Sequence, residues 1–464
     1  MQPSAFVRTS MVLWIGVDDT DSLRGMCTTF LATKLVQALT EEYDLIGYPR
    51  LVRLNPNIPW KTRGNGAVCL RIARGRGTAR TVGFIRGRTI VSFPRQQSEA
   101  NPADVEDSVA GVVEKWACFE DNTTNPGFAI LSRQPGPGLY WRAVRGIVSK
   151  RHALGCARGL GIVKEYKNGR GVIGALASIA WRPRDRTYEI LAYRDPLRWG
   201  HPRVVDPQSV VEMDRGFRTT FNNYDYDSDR MVIAPRSPCP VLFGIRGDDP
   251  RELPRAMSAI TGEVAERALI FETNQGTDDH VLRTTDLNPF TTVRRAGMVS
   301  QRVRSLPGGH VVFSLDGHDV TAYEPSKRFR NIVRALVPGD RVEVIAAVRT
   351  TPRTLNLEKL HVVSLASDVR RLSNPLCPAC GKHAKSLGRN APFRCVRCGG
   401  RIPRDLVRLA PVPRQVVPGW YEPPPGSRRH LSKPLKRMGL PTLGVSLQTR
   451  GAPLSSEAGM AVRS

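Results

Sequence analysis

Apolar residues in the first half of the chain occur both as continuous runs and at helical spacing. Residues 12–17 form a continuous apolar run, which predicts a buried strand. From Phe30 onward the apolar residues share one helical face, so Thr28 or Thr29 is the expected N-cap. The same criteria predict strands at 48–54, 67–72 and 128–131, helices at 102–116 and 140–160, and an exposed basic segment rich in Arg and Gly at 74–95.

Strands and helices continue to alternate through the middle of the chain. Apolar runs predict strands at 172–180 and 188–193. They are followed by a β-α-β unit composed of strand 241–244, helix 250–260 and strand 268–272. This mixture is typical of an α+β domain, and a ferredoxin-like arrangement is the specific prediction.

From about residue 285 the pattern changes to short β-like runs. Five strands are predicted at 291–299, 309–315, 318–323, 341–348 and 360–365, and one helix at 329–336. Five short strands with a single intervening helix favour an OB-fold β-barrel, and another kind of small barrel is the alternative.

Length and charge narrow the class of protein. A chain of 464 residues that is 41% hydrophobic exceeds one ordinary core, which suggests about three or four domains. It has no apolar run of about 20 residues, so a membrane span is not expected. The excess of 69 Lys+Arg over 42 Asp+Glu gives a net charge of +27, which predicts binding to a nucleic acid. An anionic membrane surface is the alternative partner.

The nine cysteines divide into a paired array and five scattered residues. Two CxxC pairs, Cys377 with Cys380 and Cys395 with Cys398, have the spacing of a structural zinc site whose four ligands are all protein thiolates. A glycine follows each pair and permits the tight turn that such a site needs. The scattered cysteines form no disulfide framework, so a reducing, cytosolic compartment is expected.

Three carboxylates, Asp18, Asp19 and Asp21, follow the first predicted strand within four residues. Such crowding favours a bound cation, and Mg²⁺ prefers a few carboxylates together with nucleotide phosphates. The N-terminus of the next helix would add a dipole suited to phosphate. The alternative interpretation is a helix cap in a solvated acidic turn.

A second candidate site lies at 54–66. Lys61 and Arg63 can bind phosphates, and Gly64 and Gly66, on either side of Asn65, would let the backbone approach a ligand closely. The spacing is not that of a Walker loop, and an ordinary loop is the alternative.

Two further polar clusters are more ambiguous. His280 with Asp278 and Asp279 could form a metal or acid–base site, or a polar loop at a domain junction. The acidic stretch 225–229 could meet a cationic substrate, but a solvated loop is the default interpretation.

Several segments together resemble the archaeal tRNA-Ile 2-agmatinylcytidine synthetase family over about residues 11–437. The matching segments are 15–22, 25–29, 53–66, 124–127, 169–177, 192–194, 239–247, 273–274, 323–325, 355–359, both CxxC pairs and 429–435. The resemblance implies an α+β multidomain protein with four modules. They are an ATP-binding kinase-like α/β domain at 11–138, a ferredoxin-like domain at 139–283, an OB-fold RNA-binding domain at 284–366, and a zinc ribbon with a basic tail at 367–437. Residues 438–464 are predicted to be disordered.

The resemblance also implies a reaction. ATP and Mg²⁺ would activate the position-2 oxygen of the wobble cytidine in the CAU anticodon of tRNA-Ile, and the amine of agmatine would displace it to give agmatidine. It implies autophosphorylation of Thr28 and a catalytic acidic turn that contacts magnesium and the nucleotide. It also implies nucleotide contacts from 61–66 and an agmatine pocket near Tyr193, Arg194, Cys239 and Gly244. The alternatives are a non-catalytic OB-fold and zinc-ribbon protein that binds RNA or DNA, and an ATP-dependent enzyme acting on another nucleic acid.

Overall fold

The computed structural model describes residues 12–98, 102–351, 353–388 and 391–440. The predicted N-terminal extension at 1–10 and the 441–464 part of the predicted disordered tail lie outside these residues. The elements of the first 165 residues follow in chain order: β1 Leu13–Asp18, α1 Thr28–Leu39, β2 Asp44–Ile46, β3 Arg50–Arg53, β4 Gly66–Arg76, β5 Arg80–Ile85, β6 Arg88–Phe93, β7 Arg95–Ser98, α2 Pro102–Trp116, β8 Gly127–Leu131, α3 Gly138–Arg145, α4 Lys150–Ala157 and β9 Gly161–Glu165.

The middle of the chain adds a second mixed region that ends near residue 282. Its elements are α5 Gly171–Ala180, β10 Thr187–Tyr193, α6 Pro207–Gly216, β11 Thr220–Phe221, β12 Tyr224–Asp225, β13 Arg230–Met231, β14 Val241–Gly247, α7 Leu253–Ser258, β15 Arg267–Thr273 and β16 Val281–Leu282. The predicted β-α-β unit is confirmed. Because β14 and β15 are both antiparallel to β10 and flank it, they run parallel to each other with β10 between them.

Most of the remaining elements are strands. They are β17 Thr292–Ser305, β18 Val311–Leu315, β19 His318–Ala322, α8 Phe329–Arg334, β20 Arg341–Val348, β21 Leu355–Ser364, β22 Val369–Ser373, β23 Ala384–Ser386, β24 Phe393–Cys395, β25 Arg401–Ile402, β26 Arg408–Pro411 and β27 Gly419–Tyr421. Strands β17, β18, β19, β21 and β20 pair in that order, and β20 pairs back to β17, so they close a barrel. The five predicted barrel strands and their helix are confirmed.

One 13-stranded sheet joins the first two regions, in the order β11-β14-β10-β15-β5-β6-β2-β4-β1-β8-β9 with β3 and β7 off this path. The hairpin β5–β6 connects the two halves, because β5 pairs with β15 and β6 pairs with β2. The prediction of an exposed basic segment at 74–95 is therefore incomplete. Its arginines alternate with Val82, Ile85 and Ile90, which are buried.

The predicted strand at 172–180 is wrong, because this segment is helix α5. Residues Gly171 to Ala180 are buried on all sides of the helix except at Ile173, so the sequence has no amphipathic period to distinguish a helix from a buried strand. A side chain at Gly171 would collide with the backbone of Asp18 and Gly127. Glycine therefore allows α5 to pack closely on β1 and β8.

The C-terminal strap, residues 419–440, returns from the cysteine-rich region to the large sheet. It begins with β27, which pairs with β21 of the barrel. Lys433 then binds Asp185, and Arg437 binds Asp185 and Asp248. These basic residues of the predicted tail thus form ion pairs within the protein. Among the described helices, none has the length and apolar character needed to cross a bilayer.

Candidate functional site

An acidic pocket of about 820 Å³ opens where β1 ends. Its walls are the acidic turn, the loop at 54–66, the first turn of α5, and the end of α3 with the residues that follow it to 148. The structure brings together most residues that the sequence singled out on two distant segments: Asp18, Asp19, Asp21, Lys61, Arg63, Asn65 and Gly66. Arg170, just before α5, also lines the pocket and was missed by the sequence analysis.

Asp18 and Asp19 are crowded carboxylates at the base of the acidic pocket. Burial, with the neighbouring Asp19 charge, raises the pKa of Asp18 to about 8. Burial also raises the pKa of Asp19 to about 6, although Arg170 lies 2.8 Å from its Oδ2 atom and opposes the shift. A methyl group at Gly174 would overlap the Asp18 carboxylate, so this carboxylate lies directly against the first turns of α5. Two partly buried acids beside a helix N-terminus are an arrangement that can hold a cation and a phosphate together.

Asp21, unlike Asp18 and Asp19, forms hydrogen bonds with the start of α1 and an ion pair with Arg63. Its Oδ1 atom accepts hydrogen bonds from the backbone N–H of Thr28 at 2.6 Å and from the Thr28 hydroxyl at 3.0 Å. Its Oδ2 atom lies 3.3 Å from Arg63 Nε. The predicted N-cap at Thr28 or Thr29 is wrong, because Cys27 occupies the cap position without a side-chain hydrogen bond and Thr28 is the first helical residue. Asp21 instead satisfies the free N–H group of Thr28.

The loop at 54–66 is held in place by its own polar side chains. Lys61 Nζ donates to the carbonyls of Pro56 at 2.6 Å and Ile58 at 2.8 Å. Asn65 adopts the left-handed backbone conformation, with φ of 47°, and its side-chain amide donates to Asn55 O at 2.8 Å. Strained conformations of this kind persist where the surroundings enforce them, often at ligand sites.

A second, basic pocket of about 960 Å³ adjoins the first and shares Asp21, Arg63 and Gly66 with it. The predicted residues Thr28, Gly64, Cys239 and Gly244 line it. Four further charged or titratable residues line it: Arg53, Glu189, Arg246 and His430. The family-matching segments 53–66, 239–247 and 429–435 contain three of them, whereas Glu189 was not singled out from the sequence. Three arginines and two carboxylates thus line the pocket, with Arg63 paired to Asp21 and Arg246 paired to Glu189.

Glu189 is the most deeply buried acid of the basic pocket, with 2% of its surface exposed. It accepts hydrogen bonds from Arg246 Nε at 2.9 Å and from Gln275 Nε2 at 2.5 Å. The sequence could have pointed to Glu189, because it is the single charged residue within the apolar strand β10. Charged residues are seldom buried in strands without a structural or functional partner.

The structure does not bring Tyr193 and Arg194 to either pocket. The Tyr193 ring is fully buried and packs at 5.8 Å from the ring of Phe30. Arg194 is bound to Glu263 at 2.7 Å and to the carbonyls of His201 and Pro202. Both side chains have structural roles next to the basic pocket.

The polar cluster at 278–280 joins parts of the fold. Lys359 Nζ lies 2.6 Å from Asp278, Tyr140 donates to Asp279 at 2.5 Å, and His280 Nε2 lies 3.0 Å from Glu358. Each side chain has a partner from another element, so the structure favours the domain-junction alternative. In the acidic stretch at 225–229, Asp225 accepts hydrogen bonds from the backbone of residues 227 and 228, and Asp227 lies 3.5 Å from Arg328 of the barrel region.

The four cysteines of the CxxC pairs converge, and their Sγ atoms all lie within 4.8 Å of one another. Tetrahedral zinc with Zn–S bonds of about 2.3 Å requires sulfur atoms roughly 3.8 Å apart. The Cys377–Cys398 and Cys380–Cys395 sulfur distances are 3.5 and 3.3 Å. Gly381 and Gly399 have φ values of 65° and 72°, which confirms the predicted glycine turns. The sulfur geometry fits a four-thiolate zinc site.

Acidic and basic pockets with a shared wall, a closed barrel and a cysteine ribbon together define a multidomain enzyme of nucleotide and nucleic-acid chemistry. Three family models match the chain: the TiaS TCKD domain over residues 14–168, the TiaS FLD domain over 169–280 and the TiaS C-terminal zinc ribbon domain over 374–416. The chain belongs to the TiaS family of tRNA-Ile 2-agmatinylcytidine synthetases, which confirms the resemblance.

Curated relatives match over nearly their whole length. The synthetase of Methanocaldococcus jannaschii is 38% identical, with 93% of this chain and 100% of the relative covered. That of Methanosarcina mazei is 40% identical, with 91% and 97% covered. A solved complex of TiaS with its isoleucine tRNA and ATP superposes with a TM-score of 0.80 at 36% identity, covering 92% of this chain and 98% of that one. A solved complex of TiaS with the same tRNA, AMPCPP and agmatine superposes with a TM-score of 0.76 at 34% identity, covering 93% of this chain and 98% of that one.

Proposed function

We propose that this protein uses ATP to attach agmatine to position 2 of the wobble cytidine in the CAU anticodon of tRNA-Ile, forming agmatidine. The observation that carries the proposal is the shared wall of Asp21, Arg63 and Gly66 between the two pockets. A phosphoryl donor in one pocket can reach an acceptor in the other across this wall. The names of the relatives and the contents of the solved complexes support the same reaction.

The acidic pocket would hold Mg²⁺ and ATP. Asp18 and Asp19 supply hard carboxylate oxygens for the metal, and the N-terminus of α5 faces the phosphates. Bound Mg²⁺ would neutralise the charge that develops on the transferred phosphoryl group. Within the 61–66 segment, Arg63 is placed to contact phosphate from the shared wall, while Lys61, Gly64, Asn65 and Gly66 keep the loop close to the nucleotide.

Thr28 is the proposed site of autophosphorylation. Its hydroxyl lies on the basic-pocket side of the shared wall and donates to Asp21 Oδ1 at 3.0 Å. Thr20 Oγ1 donates to the same hydroxyl at 3.0 Å. Asp21 can therefore orient the Thr28 hydroxyl and accept its proton during phosphoryl transfer.

The basic pocket would receive the flipped cytosine and agmatine. Three guanidinium groups, those of Arg53, Arg63 and Arg246, can hold a phosphoryl group on the base oxygen and stabilise it as it leaves. Cys239 and Gly244 line the proposed agmatine site, and Glu189 offers a carboxylate near it. Tyr193 and Arg194 would support this wall from behind.

The other modules would bind the RNA. The proposed kinase-like, ferredoxin-like and OB domains are those predicted at 11–138, 139–283 and 284–366, although the first family model extends to residue 168. The strand pair flanking β10 supports the ferredoxin-like assignment, and the helix between β19 and β20 supports the OB fold. Zinc at the four cysteines would fold the ribbon. Reduced thiols throughout are consistent with a cytoplasmic enzyme.

Labelled agmatine tests the proposed function directly. With ATP and tRNA-Ile carrying the CAU anticodon, we expect label in the RNA, and no label without ATP or with uridine at the wobble position. Folded, zinc-loaded protein that binds this tRNA without incorporating agmatine would contradict the proposal. That outcome would favour a non-catalytic RNA-binding protein.

We expect Gly64→Ala to impair agmatine transfer selectively. The new methyl group would lie 2.6 Å from Arg53 Nη1, so this side chain must move, and it would come into contact with His430 Nε2 at 3.5 Å. A displacement of this kind costs about 10- to 100-fold in kcat/KM for agmatine. Steady-state kinetics measures it, with Gly111→Ala as the matched control, because a methyl group there meets nothing within 4 Å. Equal activity of the two variants would contradict the proposed role of the basic pocket.

A further inference from the structure

The C-terminal strap delivers a histidine into the basic pocket. Two backbone hydrogen bonds fix the position of this part of the strap. Gly276 N donates to His430 O, and Asp278 N donates to Leu431 O, each at 2.8 Å. The imidazole points toward the loop at 54–66, where its Nε2 atom would lie 3.5 Å from a side chain added at Gly64. A residue 366 positions away in the chain from Gly64 thus completes the pocket wall.

The His430 imidazole is available for chemistry. It is accessible from the interior of the pocket, and it has no hydrogen-bond partner within the described ranges, whereas His280 is paired with Glu358. The positive charge of Arg53, with those of Arg246 and Arg429, lowers the pKa of His430 well below its usual value. The ring is therefore neutral at physiological pH and has a free lone pair.

The proposed reaction needs such a group. A primary alkylamine is protonated at neutral pH, and only the neutral amine can attack an electrophilic carbon. The guanidinium groups of Arg53, Arg63 and Arg246 repel a further positive charge, so they favour the neutral form of the reacting amine in this pocket. A proton acceptor within reach of the amine completes the requirement.

We propose that His430 is the catalytic base of the agmatine-transfer step, an inference that rests on the proposed function. The imidazole accepts a proton from the amine nitrogen as the new N–C2 bond forms. The C2–O bond then breaks, and its electron pair leaves with the phosphate. His430 returns the proton to solvent through the open side of the pocket.

Two substitutions separate this role from a structural one. In His430→Gln and His430→Ala, we expect agmatine transfer to fall by about 10²-fold or more, whereas ATP-dependent phosphorylation without agmatine persists. Added imidazole should restore part of the activity of His430→Ala. An aminooxy analogue of agmatine should be transferred by both variants at nearly the wild-type rate, because its oxygen makes the attacking nitrogen acidic enough to lose the proton to water once the N–C2 bond forms. Lys436→Met, on the same strap and bonded to Thr220 O, is the matched control and should behave as wild type.

Three results would overturn the inference. Transfer at the wild-type rate by both variants would show that no proton passes through His430. An equal loss with agmatine and with the aminooxy analogue, together with no rescue by imidazole, would assign His430 a purely structural role. Failure of the wild-type protein to transfer agmatine at all would overturn the proposed function first, and this inference with it.

Discussion

Asp18→Asn is expected to abolish ATP turnover while tRNA affinity stays within about twofold of wild type. The amide keeps the shape that packs against Gly174 and α5, but it removes the charge that the proposed magnesium site requires. Loss of a metal ligand at a phosphoryl-transfer centre costs about 10³-fold or more in kcat. ATP hydrolysis and filter binding of labelled tRNA measure the two quantities on the same preparation.

The control for this experiment is Asp319→Asn. Asp319 is a partly exposed carboxylate on the barrel that pairs with Arg304, away from both pockets, so its loss should change neither quantity. Retention of ATP turnover by Asp18→Asn within a few-fold would contradict the acidic pocket as the nucleotide site. Parallel loss of tRNA binding would instead indicate a folding defect.

Cys395→Ser is expected to remove zinc and to weaken tRNA binding by about tenfold or more, while the proposed ATP-dependent phosphorylation of Thr28 continues. The ribbon has only a small apolar core around Phe393 and Ile402, so its fold depends on the metal. Structural zinc contributes about 10–16 kcal/mol to such modules. The large sheet that carries both pockets has its own core and does not depend on the ribbon.

Elemental analysis and tRNA titration check this prediction, with Cys118→Ser as the matched control. Cys118 is a partly buried cysteine outside the CxxC pairs, so its substitution should leave zinc content unchanged. Unchanged zinc content in Cys395→Ser would contradict the four-thiolate assignment.

Local sequence patterns predicted most of the helices and strands, and about half of the residues that line the two pockets. The acidic turn, the loop at 54–66 and the CxxC pairs could be identified because each is contiguous in sequence and has a composition that suits one kind of ligand. The barrel strands could be predicted because their alternation reflects one buried face. The helix α5 was predicted as a strand because apolar residues surround it on every side, and periodicity then carries no information.

The remaining residues of the basic pocket could not be predicted, because they meet only through contacts between segments that are distant in sequence. Nothing near His430 indicates that the strap returns to the sheet, because the ion pairs that hold it, such as Arg437 with Asp185, join residues far apart in sequence. The position of the hairpin β5–β6 was equally unpredictable, because it joins the two halves of the sheet through pairing of β5 with β15 and of β6 with β2. Arg53 and Arg246 likewise become residues of one pocket only because β3 and β14 belong to the same sheet, where β10 and β15 lie between them.

Mass spectrometry of the wobble nucleoside tests the central claim most directly. After incubation of tRNA-Ile with the protein, ATP and agmatine, the account predicts that the cytidine of the CAU anticodon carries agmatine joined at position 2 with loss of the oxygen. Unmodified cytidine, recovered from a reaction in which the protein is folded, zinc-loaded and bound to the tRNA, would contradict it.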